Sequence, residues 1–130
     1  MILALKTASD VTEIHLLGSE GRTIAKTEWQ SGRQLAEGLQ SKITELLERQ
    51  GVKVGDLTGL IVFRGPGSFT GLRIGIATIN AMAYGLAIPN ASGEGEDWLS
   101  DGLAKLACQT NPQIVTPLYD RGPNTTQPRK

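Results

Sequence analysis

Residues 60–89, LIVFRGPGSFTGLRIGIATINAMAYGLAIP, join a short apolar run to a long and almost uncharged segment through a turn rich in glycine. The run 60–63 predicts a compact buried strand, and the segment from Ser68 to about Gly85 predicts a helix. Strands that are joined through helices are expected to be parallel, with right-handed crossovers. The stretch therefore predicts one βα unit of an α/β domain.

The turn GPGSFTG does not match either common nucleotide-binding loop. A P-loop requires G-x-x-x-x-G-K-[ST], and the dinucleotide fingerprint requires G-x-G-x-x-G. Counted from Gly65, both patterns need a glycine where the chain has Thr70, and no lysine follows Gly71. Ser68 is instead placed to cap the helix. Because a helix start offers free amides, an anion or nucleotide contact at Gly67 and Ser68 remains an alternative.

The helix predicted over 68–85 has two apolar faces and one charged residue, Arg73. A large stripe, expected to face the sheet, consists of Phe69, Leu72, Ile76, Ile79, Ala83 and Leu86; a second stripe of mostly small residues consists of Gly71, Gly75, Thr78, Met82 and Gly85. Each helical glycine costs about 1 kcal/mol relative to alanine, so this second stripe predicts close approach of another helix. The helix at 33–50 is expected to cover one flank and a partner protein the other. The predicted partner-binding residues are the second stripe with Leu39 and Arg73.

The rest of the chain completes an α/β lobe. Strands are predicted at 2–5, 11–17, 23–29, 60–63 and 87–90, and helices at 33–50, 68–85 and about 95–108, in the order β-β-β-α-β-α-β-α. This order predicts a mixed five-stranded sheet with three covering helices. Residues 1–110 are expected to form a single lobe, and the Pro- and Thr-rich tail 111–130 is expected to be a loop or partly disordered.

Composition and charge exclude several classes of protein. Thirteen basic and thirteen acidic residues cancel, and no basic cluster precedes the last two positions, which disfavours direct binding of nucleic acid. The longest apolar stretch, 74–88, is shorter than the roughly 20 residues of a bilayer span, and no signal-peptide pattern is present. We therefore expect a cytoplasmic protein without a membrane partner.

The remaining polar candidates do not combine into a catalytic or metal site. His15, the single histidine, is expected on the solvated face of its strand, and Cys108, the single cysteine, is expected to be buried. Glu94, Glu96 and Asp97 are expected to be favourable charges at the start of the third helix. No acid or base partner can be placed beside the histidine, so we predict no catalytic residue and no metal.

The segment RGPGSFTGLRIG (64–75), preceded by LIVF and followed by GLAIP (85–89), resembles the signature of the bacterial TsaB (YeaZ) family. MILALKTASD (1–10) is similar to the first strand and turn of that family, and PLYDRGP (117–123) is similar to its closing motif. The resemblance covers about residues 1–92. It implies the ribonuclease H-like fold of actin, Hsp70 and sugar kinases, which has two similar lobes. Here one lobe is expected, with most of the second absent.

The resemblance also implies a function in the synthesis of threonylcarbamoyladenosine in tRNA. It implies a non-catalytic subunit that pairs, through its first two helices, with the catalytic protein TsaD, which modifies the adenosine beside the anticodon. A TsaE-like ATPase is an implied further partner, and tRNA is contacted indirectly through the complex. Lys6, Thr7 and Ala8 replace the family's usual Asp-Thr-Ser, so ATP or ADP is expected only within the complex.

Two alternatives from other classes remain. The first is a phosphate-handling or glycopeptidase-like enzyme that uses the loop at Ser68. The second is a homodimeric scaffold, associated through the same two helices, without a role in tRNA modification.

Overall fold

The computed structural model describes residues 1–18 and 20–118. The strands are β1 (Ile2–Lys6), β2 (Val11–Leu17), β3 (Thr23–Gln30), β4 (Gly59–Gly65) and β5 (Asn90–Glu94), and the helices are α1 (Leu35–Arg49), α2 (Phe69–Leu86) and α3 (Trp98–Leu106). Short 3-10 turns at Gly32–Gln34 and Val54–Asp56 precede α1 and β4. The predicted order of elements is therefore confirmed. The predicted tail beyond residue 118, with most of the PLYDRGP motif, lies outside the described residues.

The five strands form one mixed sheet in the order β3-β2-β1-β4-β5. β1 pairs antiparallel with β2 and parallel with β4, so the first strand is central. β2 pairs antiparallel with β3, and β4 pairs parallel with β5. The hairpin-connected strands are thus antiparallel and the helix-connected strands are parallel, as the connection rules require.

The helices lie on both faces of the sheet. Lys6 Nζ lies 4.6 Å from the centre of the Phe63 ring, and Phe63 packs edge-on against Trp98 of α3. The next residue, Thr7, bonds instead to α2, and successive side chains of an extended segment point to opposite faces. Trp29, which pairs with Thr12 across β2 and β3, packs against Gly38 of α1. Hence α1 and α2 cover one face and α3 covers the other.

α1 joins the core through one apolar stripe. Its buried residues are Leu35, Leu39, Ile43, Leu46 and Leu47. The helix ends before Gly51, whose φ of +67° lies in the left-handed region that glycine adopts most easily.

Within the described part of the chain, no helix is both long enough and apolar enough to cross a membrane.

The last two predicted elements are displaced along the chain. β5 covers Asn90–Glu94 rather than 87–90, because α2 continues to Leu86 and Ala87 then takes a left-handed conformation. α3 covers Trp98–Leu106 rather than 95–108, since Gly95 has a φ of +73° and β5 still includes Glu94. The bounds of β5 were hard to predict because the strand has only five residues, one of them glycine, and shows little alternation of apolar and polar side chains.

Candidate interaction site

The turn before α2 is held by the turn that follows β1. The Ser68 N–H donates to the Ala8 carbonyl oxygen at 3.0 Å. Ser68 Oγ accepts from the Gly71 N–H at 3.5 Å, so the predicted N-cap is confirmed. A Cβ at Gly67 would lie 2.6 Å from the Ala8 Cβ, which explains the glycine as a requirement of this close packing. The two turns therefore pack directly against each other at the start of α2.

Two of the glycines of α2, Gly71 and Gly75, make room for Thr7 of the same chain. Thr7 is fully buried, and its hydroxyl donates to the Gly71 carbonyl oxygen at 2.6 Å. A Cβ at Gly71 would overlap the Thr7 carbonyl oxygen, and a Cβ at Gly75 would overlap Thr7 Oγ1. The expectation that these glycines indicate a partner helix is therefore wrong. They are explained by a contact within the chain.

The other predicted partner-binding residues are divided between core and surface. Leu39 is 1% exposed and belongs to the hydrophobic core, so it presents no surface. Thr78 and Met82 are half-buried, and the Thr78 hydroxyl donates to the Ile74 carbonyl oxygen at 2.8 Å. Arg73 and Gly85 are exposed. The structure therefore does not bring the predicted set together as one accessible patch.

A different face of α2 is exposed, and we call it the outer face. It consists of Phe69, Thr70, Arg73, Ala77, Ala81 and Tyr84. Phe69 is 55% exposed, so its assignment to the sheet-facing stripe is wrong, and Tyr84 is 84% exposed. The Arg73 guanidinium lies 5.3 Å from the centre of the Phe69 ring. The near absence of charge from α2 could not reveal this exposure, because a buried helix has the same composition.

Two depressions adjoin the outer face. One of about 330 Å³ is lined by Phe69, Thr70, Arg73, Ile74 and Ala77. A second, of about 470 Å³, lies between the turn after β1 and the start of α2 and is lined by Ser9, Asp10, Gly32, Arg33, Leu35, Ser68, Thr70, Gly71 and Ile74. The predicted anion or nucleotide contact at Gly67 and Ser68 stays a prediction. The two depressions thus lie side by side at the start of α2 and share Thr70 and Ile74 in their linings.

His15 is buried on the opposite face of the sheet, contrary to the expected solvated position. It is 5% exposed because α3 covers it, and its ring packs edge-on against Trp98 at 5.5 Å. His15 Nε2 lies 3.0 Å from Glu13 Oε1, and the buried Nδ1 has no hydrogen-bond partner. Because Ser68 lies at the start of α2, the sheet separates it from this histidine. The two side chains do not form a nucleophile and base pair.

Of the acidic residues predicted at the start of α3, Glu96 and Asp97 immediately precede the helix as expected, whereas Glu94 does not. Glu94 lies in β5 and forms an ion pair with Arg64 at 3.1 Å. Asp97 occupies the N-cap position without a side-chain hydrogen bond, while Asp101 accepts from the Glu94 N–H at 3.2 Å. Within residues 1–18 and 20–118, histidine, cysteine and carboxylate side chains form no group of three that could hold a metal.

Cys108 is exposed rather than buried, because α3 ends at Leu106 and the cysteine follows its last turn.

The α3 side of β3 carries paired charges, with Lys26 Nζ 3.0 Å from Glu28 Oε2. The hydrogen bond to Glu28 raises the pKa of Lys26 above its ordinary value. Such an exposed pair contributes little to stability.

The order of elements, the strand order and the helices on both faces define an α/β protein with the ribonuclease H-like fold of actin. The solved structure of YeaZ from Pseudomonas aeruginosa is similar, with a TM-score of 0.66 and 30% identity. That likeness covers 72% of this chain and 43% of the YeaZ chain.

Sequence relatives identify the family. The tRNA threonylcarbamoyladenosine biosynthesis protein TsaB of Escherichia coli K12 is 33% identical over 88 residues, which are 68% of this chain and 37% of that protein. The family model described as TsaD, tRNA N6-adenosine threonylcarbamoyltransferase, matches residues 29–92. The enzyme of that name from Geotalea uraniireducens is 39% identical over 61 residues, which are 47% of this chain and 18% of the enzyme. The chain belongs to the TsaB/YeaZ family, and it spans less than half the length of these relatives.

Proposed function

We propose that this chain is a non-catalytic subunit in the biosynthesis of threonylcarbamoyladenosine in tRNA and that it pairs with a TsaD-like catalytic subunit. Relatives named TsaB support the pathway. The match of residues 29–92 to the TsaD model supports a lobe that shares its architecture with that enzyme. A TsaE-like ATPase and, through the complex, tRNA are proposed further partners. ATP or ADP is proposed to bind only within the complex.

The outer face of α2 is the observation that carries this proposal. It presents Ala77, Ala81 and the exposed rings of Phe69 and Tyr84 beside the single charge of Arg73. An exposed helix face of a monomer is ordinarily rich in charged side chains, whereas aromatic residues and arginine are enriched in protein interfaces. Hydrogen bonds from Ser68 to Ala8 and from Thr7 to Gly71 attach the start of α2 to the turn after β1 and position this face. We therefore propose the outer face as the centre of the contact with the TsaD-like subunit.

Pairing is tested by co-purification and native mass spectrometry with the TsaD-like protein of the same genome. Ala77→Arg places a long charged side chain at an exposed position of the outer face. We expect at least about tenfold weaker pairing, because the interface would have to bury an unpaired charge. The matched control is Ala104→Arg, which changes another exposed helical alanine, on α3 across the sheet. It is expected to pair like the unmodified chain.

The outcomes separate the alternatives. Equal pairing of both variants would place the contact elsewhere, and no pairing of the unmodified chain would contradict the proposal. Self-association that Ala77→Arg abolishes, without pairing, would support the homodimeric scaffold. Binding of ATP or ADP by the chain alone, lost on Ser68→Ala, would support the phosphate-handling enzyme. Depletion of the protein followed by mass spectrometry of tRNA nucleosides tests the pathway itself.

A further inference from the structure

The segment after α3 lies in a groove between α2 and β5, and two asparagine side chains hold its main chain. The Gln113 N–H donates to Asn90 Oδ1 at 2.8 Å, and Asn90 Nδ2 donates to the Gln113 carbonyl oxygen at 3.0 Å. The Val115 N–H donates to Asn80 Oδ1 at 3.1 Å, and Asn80 Nδ2 donates to the Val115 carbonyl oxygen at 3.0 Å. Both main-chain groups of alternate residues are thus bound, as they would be by a neighbouring strand.

The two asparagines are coupled and depend on this segment for their hydrogen bonds. Asn90 is fully buried, and its Nδ2 also donates to Asn80 Oδ1 at 3.2 Å. The Gln113 side chain completes the set by donating to the Asn90 main-chain oxygen at 2.8 Å. A buried amide that loses its partners is costly. The groove is therefore complete only when it holds an extended main chain.

Side chains of the segment alternate between core and solvent. Val115 is 6% exposed and joins the hydrophobic core, whereas the preceding Ile114 is 80% exposed. Further along, the Leu118 N–H donates to the Arg64 carbonyl oxygen at 2.7 Å. This alternation is typical of a strand with one buried face. The groove therefore contacts side chains at two positions, Gln113 through its hydrogen bond to Asn90 and Val115 through the core.

We propose that the groove between α2 and β5 is a binding site for an extended peptide strand, and that residues 113–118 of a second copy occupy it in exchange for the chain's own segment. The contacts involve main-chain groups, the Gln113 side chain and Val115, and none requires the covalent connection to α3. Ala107, Cys108, Thr110 and Asn111, which form most of that connection, are exposed. Reciprocal exchange re-creates every contact in both copies. This association is distinct from contact through the outer face.

A peptide-binding experiment tests the site. A protease cleavage sequence is inserted between Thr110 and Asn111, and the folded chain is cut so that the segment is held by non-covalent contacts alone. A labelled peptide of residues 111–118, NPQIVTPL, is then titrated in and followed by fluorescence anisotropy. We expect saturable binding that Asn80→Ala weakens at least about tenfold, because two hydrogen bonds are lost. The control Thr78→Ala removes a methyl group and a hydroxyl that is bonded within α2, and it is expected to leave affinity unchanged.

Loss of fold on cleavage, or peptide affinity that is equal in the Asn80→Ala and Thr78→Ala chains, would overturn the proposed site. Exchange is tested with the uncut chain, prepared in two isotopically distinct forms and mixed at high concentration. Native mass spectrometry is expected to detect mixed dimers that excess NPQIVTPL peptide dissociates. Monomers alone at every concentration, or dimers that the peptide leaves intact, would refute the exchange.

Discussion

Replacing Gly75 by alanine tests whether Gly71 and Gly75 of α2 make room for Thr7. An added Cβ would overlap Thr7 Oγ1 and would lie 3.0 Å from Cγ2 and 3.1 Å from Cβ of the same residue. Thr7 cannot swing away easily, because its side chain is β-branched, fully buried and bonded to the Gly71 carbonyl oxygen. The threonine and its main chain must therefore move, and the turn after β1 must move with them.

The magnitude follows from three opposing contributions to the free energy of unfolding. Alanine in place of a helical glycine stabilises by about 1 kcal/mol. Overpacking of a filled site costs about 1–3 kcal/mol. Breaking the bond from Thr7 to Gly71 and leaving buried polar groups unpaired costs a further 1–3 kcal/mol, roughly. The expected net result is a loss of about 1–5 kcal/mol, with a central value near 3.

Urea unfolding, followed by circular dichroism and by the fluorescence of Trp29 and Trp98, measures this change. The matched control is Gly85→Ala in the same helix, where an added Cβ meets nothing within 4 Å. It is expected to gain up to about 1 kcal/mol from helix propensity alone.

A double-mutant cycle with Thr7→Ala isolates the contact. In the Thr7→Ala background the penalty of Gly75→Ala is expected to fall below about 1 kcal/mol, because the overlapping hydroxyl is gone. The explanation would be refuted if Gly75→Ala stabilised the protein as Gly85→Ala does. An equal penalty in both backgrounds would also refute it, since the loss would then not depend on Thr7.

Two further predictions concern the cap of α2 and the end of α3. Ser68→Ala is expected to lower the free energy of unfolding by about 1 kcal/mol, because the Gly71 N–H loses its side-chain acceptor. The control Thr70→Ala, in the same turn, is expected to cause no loss. Urea unfolding of both variants measures the difference. Cys108 is expected to react with a thiol reagent in the native protein as fast as in urea, within about a factor of ten, because it is exposed; labelling that requires denaturation would contradict its position after α3.

Local periodicity was sufficient to predict most of the helices and strands of the fold. The apolar stripe of α1 and the alternation of Lys26 and Glu28 with Ala25, Thr27 and Trp29 in β3 are properties of neighbouring residues. The N-cap at Ser68 is likewise a local pattern. These elements could be predicted because each periodicity has one simple explanation.

The environment of single residues could not be predicted when it depended on distant parts of the chain. His15 alternates with Glu13 as a surface residue would, and it is buried because Trp98 covers that face of β2. The glycines of α2 indicated close approach, but the approaching atom belongs to Thr7, 64 residues before Gly71. A glycine in a helix indicates that another group approaches closely, but it does not indicate which group that is.

The two sides of α2 have different surroundings, and this decides how the proposed docking surface must be tested. A bulky residue at Gly75 would displace Thr7, loosen the turn after β1 and disturb the support of Ser68. Lost pairing in such a variant would report unfolding as readily as a lost contact. Ala77 is exposed and its substitution leaves Thr7 in place, so lost pairing there reports the outer face itself. Substitutions of Gly75 are therefore suited to unfolding measurements, and substitutions of Ala77 are suited to binding measurements.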